Sequence, residues 1–101
     1  MAKKRKVVLT KLANEQITYI YQQSIAQQGE EEAQALMDDF LDVAFTLIAA
    51  QPSRFPICLD KPRASATYRM AVFGEDYRII FQILTQKILV VLIHHEEDLP
   101  F

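Results

Sequence analysis

"YRMAVFGEDYRIIFQIL", residues 68–84, decides the fold. Two runs rich in Val, Ile, Phe and Tyr flank the polar triplet "GED", the pattern of two antiparallel strands joined by a short turn. The first strand is expected from Tyr68 to Phe73 and the second from Tyr77 to Leu84. Each opens on Tyr-Arg, so Arg69 and Arg78 stand nine residues apart at the starts of adjacent strands. In a chain with 11 basic residues the two arginines have two readings. They face solvent beside a hairpin, with Glu75 or Asp76 as ion-pair partners. Alternatively, they line a sheet edge that grips something anionic.

On the C-terminal side, Thr85 and Gln86 read as a tight turn and Lys87 to His94 as a fourth strand. Its unbroken apolar run from Ile88 to Ile93 suits a central strand covered on at least one face. On the N-terminal side, "PSRFPICLDKPRAS" (52–65) has three prolines and no clean period, which predicts a surface loop. "RKVVLT" (5–10) predicts a first strand ending near Thr10, a residue able to cap the helix that follows. From Lys11 to Gln28, Leu12, Ile17, Ile20, Tyr21, Ser24 and Ile25 roughly follow helical spacing. Gly29 is placed for a left-handed cap. Glu30, Glu31 and Glu32 suit the N-terminus of a second helix. Its apolar stripe is Ala33, Leu36, Met37, Phe40, Val43, Ala44, Leu47 and Ile48, and Pro52 should stop it. The order β-α-α-β-β-β predicts an α+β fold, a helical hairpin packed on one side of a small, mainly antiparallel sheet. Phe40 and Leu92 are expected in the helix–sheet interface.

With 101 residues, half of them hydrophobic and 24 % charged, residues 1–101 read as one domain with a single modest core. No apolar run approaches the roughly 20 residues of a membrane helix. The basic start "MAKKRKVVLT" lacks the apolar core and cleavage site of a secretion signal, so the expected location is the cytoplasm. The lone Cys58 offers no internal disulfide and no metal pair. The net charge of −2 conceals an asymmetry. Glu30, Glu31, Glu32, Asp38, Asp39 and Asp42 form an acidic stretch, whereas Arg54, Lys61, Arg63, Arg69 and Arg78 form a basic one, a natural landing site for an acidic peptide. Overall acidity counts against a general nucleic-acid binder. The cluster from His94 to Asp98 has histidines and carboxylates, but neighbouring strand side chains alternate in direction and do not converge as ligands must. No metal or other cofactor is expected.

The ordered set formed by the first strand, the hairpin ending at "AAQPSRFP", then "YRMAVFGEDYRIIFQIL", "KILVVLIH" and "HHEEDLP" resembles the RelE/ParE family of toxins from type II toxin–antitoxin systems, associated with plasmid stabilisation. The resemblance covers nearly the whole chain. It implies a protein that inhibits growth until a cognate antitoxin wraps it, and an assembly that is a homodimer or a toxin–antitoxin hetero-oligomer.

The family divides by mechanism. RelE-like members cleave ribosome-bound messenger RNA, which requires an activated 2′-hydroxyl, a stabilised phosphorane and a protonated leaving group. Arg69 matches a basic position on the second strand and Arg78 the arginine opening the third. Ala71, however, stands where a second base is usual, and the tail "EEDLPF" is acidic and lacks a tyrosine. ParE-like members instead poison DNA gyrase by binding it. Their last strand often ends in a histidine followed by Asp-Leu-Pro, as His94 is followed here by Asp98, Leu99 and Pro100, with Glu96 and Glu97 where basic residues are common. The resemblance therefore implies a ParE-like binding toxin directed at a target such as gyrase. Arg63, Arg69, Arg78, His94, Asp98 and Phe101 are the residues expected to meet target or antitoxin. One alternative is a ribosome-dependent endoribonuclease using Arg69, Arg78 and His94, with Phe101 following the histidine. The other is a non-toxic interaction module of the same fold.

Overall fold

The computed structural model describes residues 5–58 and 67–97. Strand β1 (Lys6–Leu9) runs straight into helix α1 (Lys11–Gln28) through Thr10. That one residue serves both elements. Its N–H donates to Val90 O at 3.0 Å, closing the strand pairing, and its Oγ1 accepts from Ala13 N at 3.1 Å, capping the helix. Ala13, Ile17, Ile20 and Ser24 form the buried stripe of α1, while Leu12 turns outward at 50 % exposure. The core-facing position next to it is taken by Ala13.

Gly29 joins the helices. Its N–H ends α1 on Ile25 O and its carbonyl accepts from Ala33 N to begin α2 (Glu30–Asp42). Its φ of 94° is positive, but ψ is 167°, so the backbone is extended rather than in the expected left-handed helical turn. Glycine alone tolerates that combination readily. The second helix is not continuous. After Asp42 the backbone widens into a π-helical turn, Val43–Leu47, before a last short stretch α3, Ile48–Ala50. The wider turn returns Ile48 and Ala49 to the core beneath Val43 and Ala44, and it swings Leu47 out to 49 % exposure. Leu47 thus leaves the stripe that regular helical spacing assigns it.

The stretch expected as an irregular loop carries two elements: a 3₁₀ turn, Pro52–Arg54, and a two-residue strand β2, Ile57–Cys58. Strands β3 (Tyr68–Phe73), β4 (Tyr77–Ile83) and β5 (Lys87–His95) follow. The strand order is β1-β5-β4-β3-β2. Among the described strands only β1 and β5 pair in parallel, with Lys6 opposite Lys87 and Leu9 opposite Val90. The expected helical hairpin on a mainly antiparallel sheet is present, in the expected order, with β2 added at one edge. Gly74 sits in the β3–β4 turn at φ 56°, and any β-carbon there would run into Leu36 Cδ1.

The sheet buries two faces unequally. Towards the helices, Ala71, Phe73, Ile79, Phe81, Ile88, Val90 and Ile93 pack against Ile17, Ile20, Phe40, Val43 and Ile48, with the Phe40 and Phe73 rings in edge contact at 5.2 Å. On the opposite face Tyr68, Ile80 and Leu92 form a smaller cluster with Met70 and Val91. Leu92 therefore lies across the sheet from the helix interface in which it was expected. The pairing shifts between Ile80 and Phe81, which face Leu92 and Val90 respectively. This bulge at Val91 is what lets Val90 and Ile93, an odd number of residues apart, both face the helices. No helix among the described residues is long and apolar enough to cross a membrane.

Candidate functional site

The two arginines that open the hairpin lie on opposite faces of the sheet. Arg69 pairs with Phe81, whose ring is in the helix-side core, whereas Arg78 pairs with Val72 and, across β5, with His94. Arg69 is held locally: its guanidinium donates to Ser53 O at 3.2 Å and Phe55 O at 2.7 Å, fastening the 3₁₀ turn to β3. Arg78 makes no hydrogen bond or ion pair among the described residues, to Glu75 and Asp76 or to any other. It is half-buried, so its charge sits close to the sheet surface with its donors uncommitted.

His94 stands beside it. The residue is 8 % exposed and its Nδ1 lies 2.8 Å from His95 O. A carbonyl can only accept, so Nδ1 carries the proton. In the neutral ring Nε2 is then an acceptor, and this buried atom has no partner among the described residues. His95, one residue on, points the other way. Its ring meets Tyr77 edge-on at 5.2 Å and its Nδ1 accepts from Glu97 N at 3.1 Å. Tyr77 and His95 are paired across the strands, as are Arg78 and His94, one residue apart in register, so the two histidines do not converge.

Around Arg78 and His94 the open face is apolar, with Val72 beside them and Met70, Ile80 and Leu92 in the next row. Val72 is 49 % exposed. Ala71 is 2 % exposed beneath the helices. A base at that position in this backbone would be directed into the core and not toward Arg78. Of the other residues expected to meet a target or antitoxin, Arg63, Asp98 and Phe101 lie outside the described residues. The arrangement offers one guanidinium, one imidazole acceptor and an apolar surround. It can hold a partner that brings an anionic or hydroxyl group with apolar surface around it.

Sequence reasoning missed a groove of about 690 Å³ between α1 and the outer edge of β5, lined among others by Leu12, Tyr19, Ile20, Leu92 and His94. It exists because β1 ends opposite Val90 while β5 continues to His95. Beyond that point the edge of β5 faces α1, and Gln16 Oε1 accepts from Ile93 N–H at 2.7 Å. The signal lay in lengths: a first strand much shorter than the last leaves part of that edge without a strand partner.

Over residues 7–100 the chain matches the family model described as the ParE toxin of type II toxin–antitoxin system, parDE. No curated protein matches it. The solved structures that share its fold include two of toxin–antitoxin systems. One is the chromosomal ParDE toxin–antitoxin system from P. aeruginosa, at 15 % identity and a TM-score of 0.71, covering 95 % of this chain and 100 % of that one. The other is the toxin–antitoxin complex RelBE2 from Mycobacterium tuberculosis, also at 15 % identity, with a TM-score of 0.59 and coverage of 91 % and 98 %. At this identity the likeness is one of fold.

Proposed function

Because the chain belongs to the ParE toxin family of type II toxin–antitoxin systems, we propose that it inhibits growth by holding a macromolecular target and that a cognate antitoxin neutralises it. DNA gyrase is the target this reading names, and the cytoplasm the place of action. The observation that carries it is the composition of the open sheet face: one uncommitted guanidinium, Arg78, set in the apolar surface of Val72, Met70, Ile80 and Leu92. A phosphoryl-transfer site needs a base, an acid and charge stabilisers gathered around one phosphate. Arg69 is on the far face and bound to two carbonyls. Ala71 is in the core. A surface with a central arginine and apolar surroundings has instead the make-up of a binding patch.

One observation favours a second reading, a ribosome-dependent endoribonuclease. His94 presents a buried Nε2 with no partner among the described residues next to Arg78, and a general base and a phosphorane stabiliser are two of the three roles such chemistry requires. The first test is growth. Expressed alone in a bacterium, the chain should arrest division, and co-expression of the product of the adjacent gene should restore it. Unimpaired growth with soluble, folded protein in the cell would mean a non-toxic module instead.

A further inference from the structure

A second cleft, of about 560 Å³, lies where the facing ends of α1 and α2 meet the β3–β4 turn, and it shares Gln27, Tyr77 and His95 with the groove along β5. Four carboxylates line it, Glu32, Asp39, Glu75 and Asp76, with no lysine or arginine among its described lining residues. Asp39 is fixed by accepting the Gly74 N–H at 2.5 Å through Oδ2. Ser24 also lines the cleft. It is 6 % exposed, and its Oγ has no hydrogen-bond partner among the described residues. A buried hydroxyl left in this state carries a desolvation cost that an incoming donor would relieve. The four exposed carboxylates give the cleft a negative potential that attracts a cation. Among the described residues no group of three or more acidic, histidine or cysteine side chains is close enough to hold a metal ion. Dispersed acceptors suit a planar, extended cation with several donors, which is the guanidinium of arginine.

We propose that the cleft receives an arginine side chain from a segment of the neutralising partner, and that an apolar residue of the same segment lies in the adjoining groove against Leu12, Tyr19 and Ile20. The identity of the partner rests on the reading above, whereas the chemistry of the cleft stands apart from it. Charge complementarity selects arginine at one end, the exposed Leu12 and Tyr19 of α1 select a hydrophobic residue at the other, and the shared residues set the two clefts side by side.

The test uses the full chain, isotope-labelled, titrated with a short blocked peptide carrying leucine at one end and arginine at the other. The same peptide with citrulline, which keeps the shape of arginine and removes its charge, serves as control. The arginine peptide should shift the amide signals around Ser24, Glu32, Glu75 and Asp76 saturably, and the citrulline peptide should bind more weakly. Glu32 and Glu75 are exposed and make no hydrogen bond among the described residues, so the double variant E32Q/E75Q should fold normally. It should lose affinity about fivefold, as expected when two partly exposed charge pairs go. Equal binding of both peptides, or unchanged affinity in the double variant, would overturn the proposal. The growth assay separates the two readings. A chain that binds the arginine peptide but arrests no growth keeps the cleft and loses the toxin. A toxic chain whose double variant is neutralised as readily as the parent keeps the toxin and loses the cleft.

Discussion

Arg69 and Arg78 are the same residue type at the same place in two neighbouring strands, and the structure gives them opposite physical situations. Removing the Arg69 side chain leaves the carbonyls of Ser53 and Phe55 without their donor. Arg69→Ala is therefore expected to destabilise the fold by about 1–2 kcal/mol, a charged but partly exposed contact. Arg78 has no such partner among the described residues, so Arg78→Ala should stay within about 0.5 kcal/mol of the parent. Denaturant melts of the two variants check both values; equal losses would contradict the split between a structural arginine and a free one. The split was legible in the sequence once the turn was fixed at "GED". Phe73 then faces Tyr77, which puts residues 69 and 78 at opposite parity. The burial of His94 was not legible, because it depends on its neighbours in space. Gly74 is a further residue-scale test. Its φ of 56° and the proximity of Leu36 predict that Gly74→Ala costs upwards of about 1 kcal/mol, against a few tenths for a neutral surface change.

At the scale of elements, the periodic signals carried most of the architecture. The cap at Thr10, the helix junction at Gly29, the hairpin and the last strand each follow from local pattern, because capping chemistry and period need only a few neighbours. Three features needed the assembled molecule. A strand of two residues, β2, is too short to show a period. The π turn at Val43–Leu47 arises from fitting Ile48 and Ala49 to the sheet, which no helical repeat encodes. The bulge at Val91 exchanges faces halfway along β5, so an apolar run gives no hint of which side Leu92 occupies. Two substitutions test the resulting division of the core. Phe40→Ala removes a ring at 2 % exposure between helix and sheet and should cost about 3–5 kcal/mol. Leu92→Ala empties the smaller cluster on the open face, where relaxation is easier, and should cost about 2–3 kcal/mol. If Phe40→Ala cost less than about 1 kcal/mol, the helical hairpin would not be packed on the sheet as described.

For the molecule as a whole, the fold provides two kinds of surface at different places. The open sheet face presents Arg78 and His94 within apolar surroundings, and the far end of the helical hairpin presents the acidic cleft and its groove. Of the first, Arg78 and His94 were legible in the sequence as residues expected to meet target or antitoxin, but not the apolar face around them, which three strands build. The cleft is assembled from two helices and a turn far apart in sequence. Under this proposal Arg78 and the acidic cleft share no residue, although the groove beside the cleft borders the open face at Leu92 and His94, so changes at Arg78 should leave neutralisation unaffected. The central claim is that the chain acts by binding and not by cutting. The most direct measurement assays one preparation of purified protein for inhibition of gyrase supercoiling and for cleavage of ribosome-bound message, with an active toxin of each kind alongside. The account predicts that the parent inhibits supercoiling, that Arg78→Ala weakens this, and that message stays intact throughout. Cuts in ribosome-bound message that disappear in Arg78→Ala and His94→Ala would contradict it.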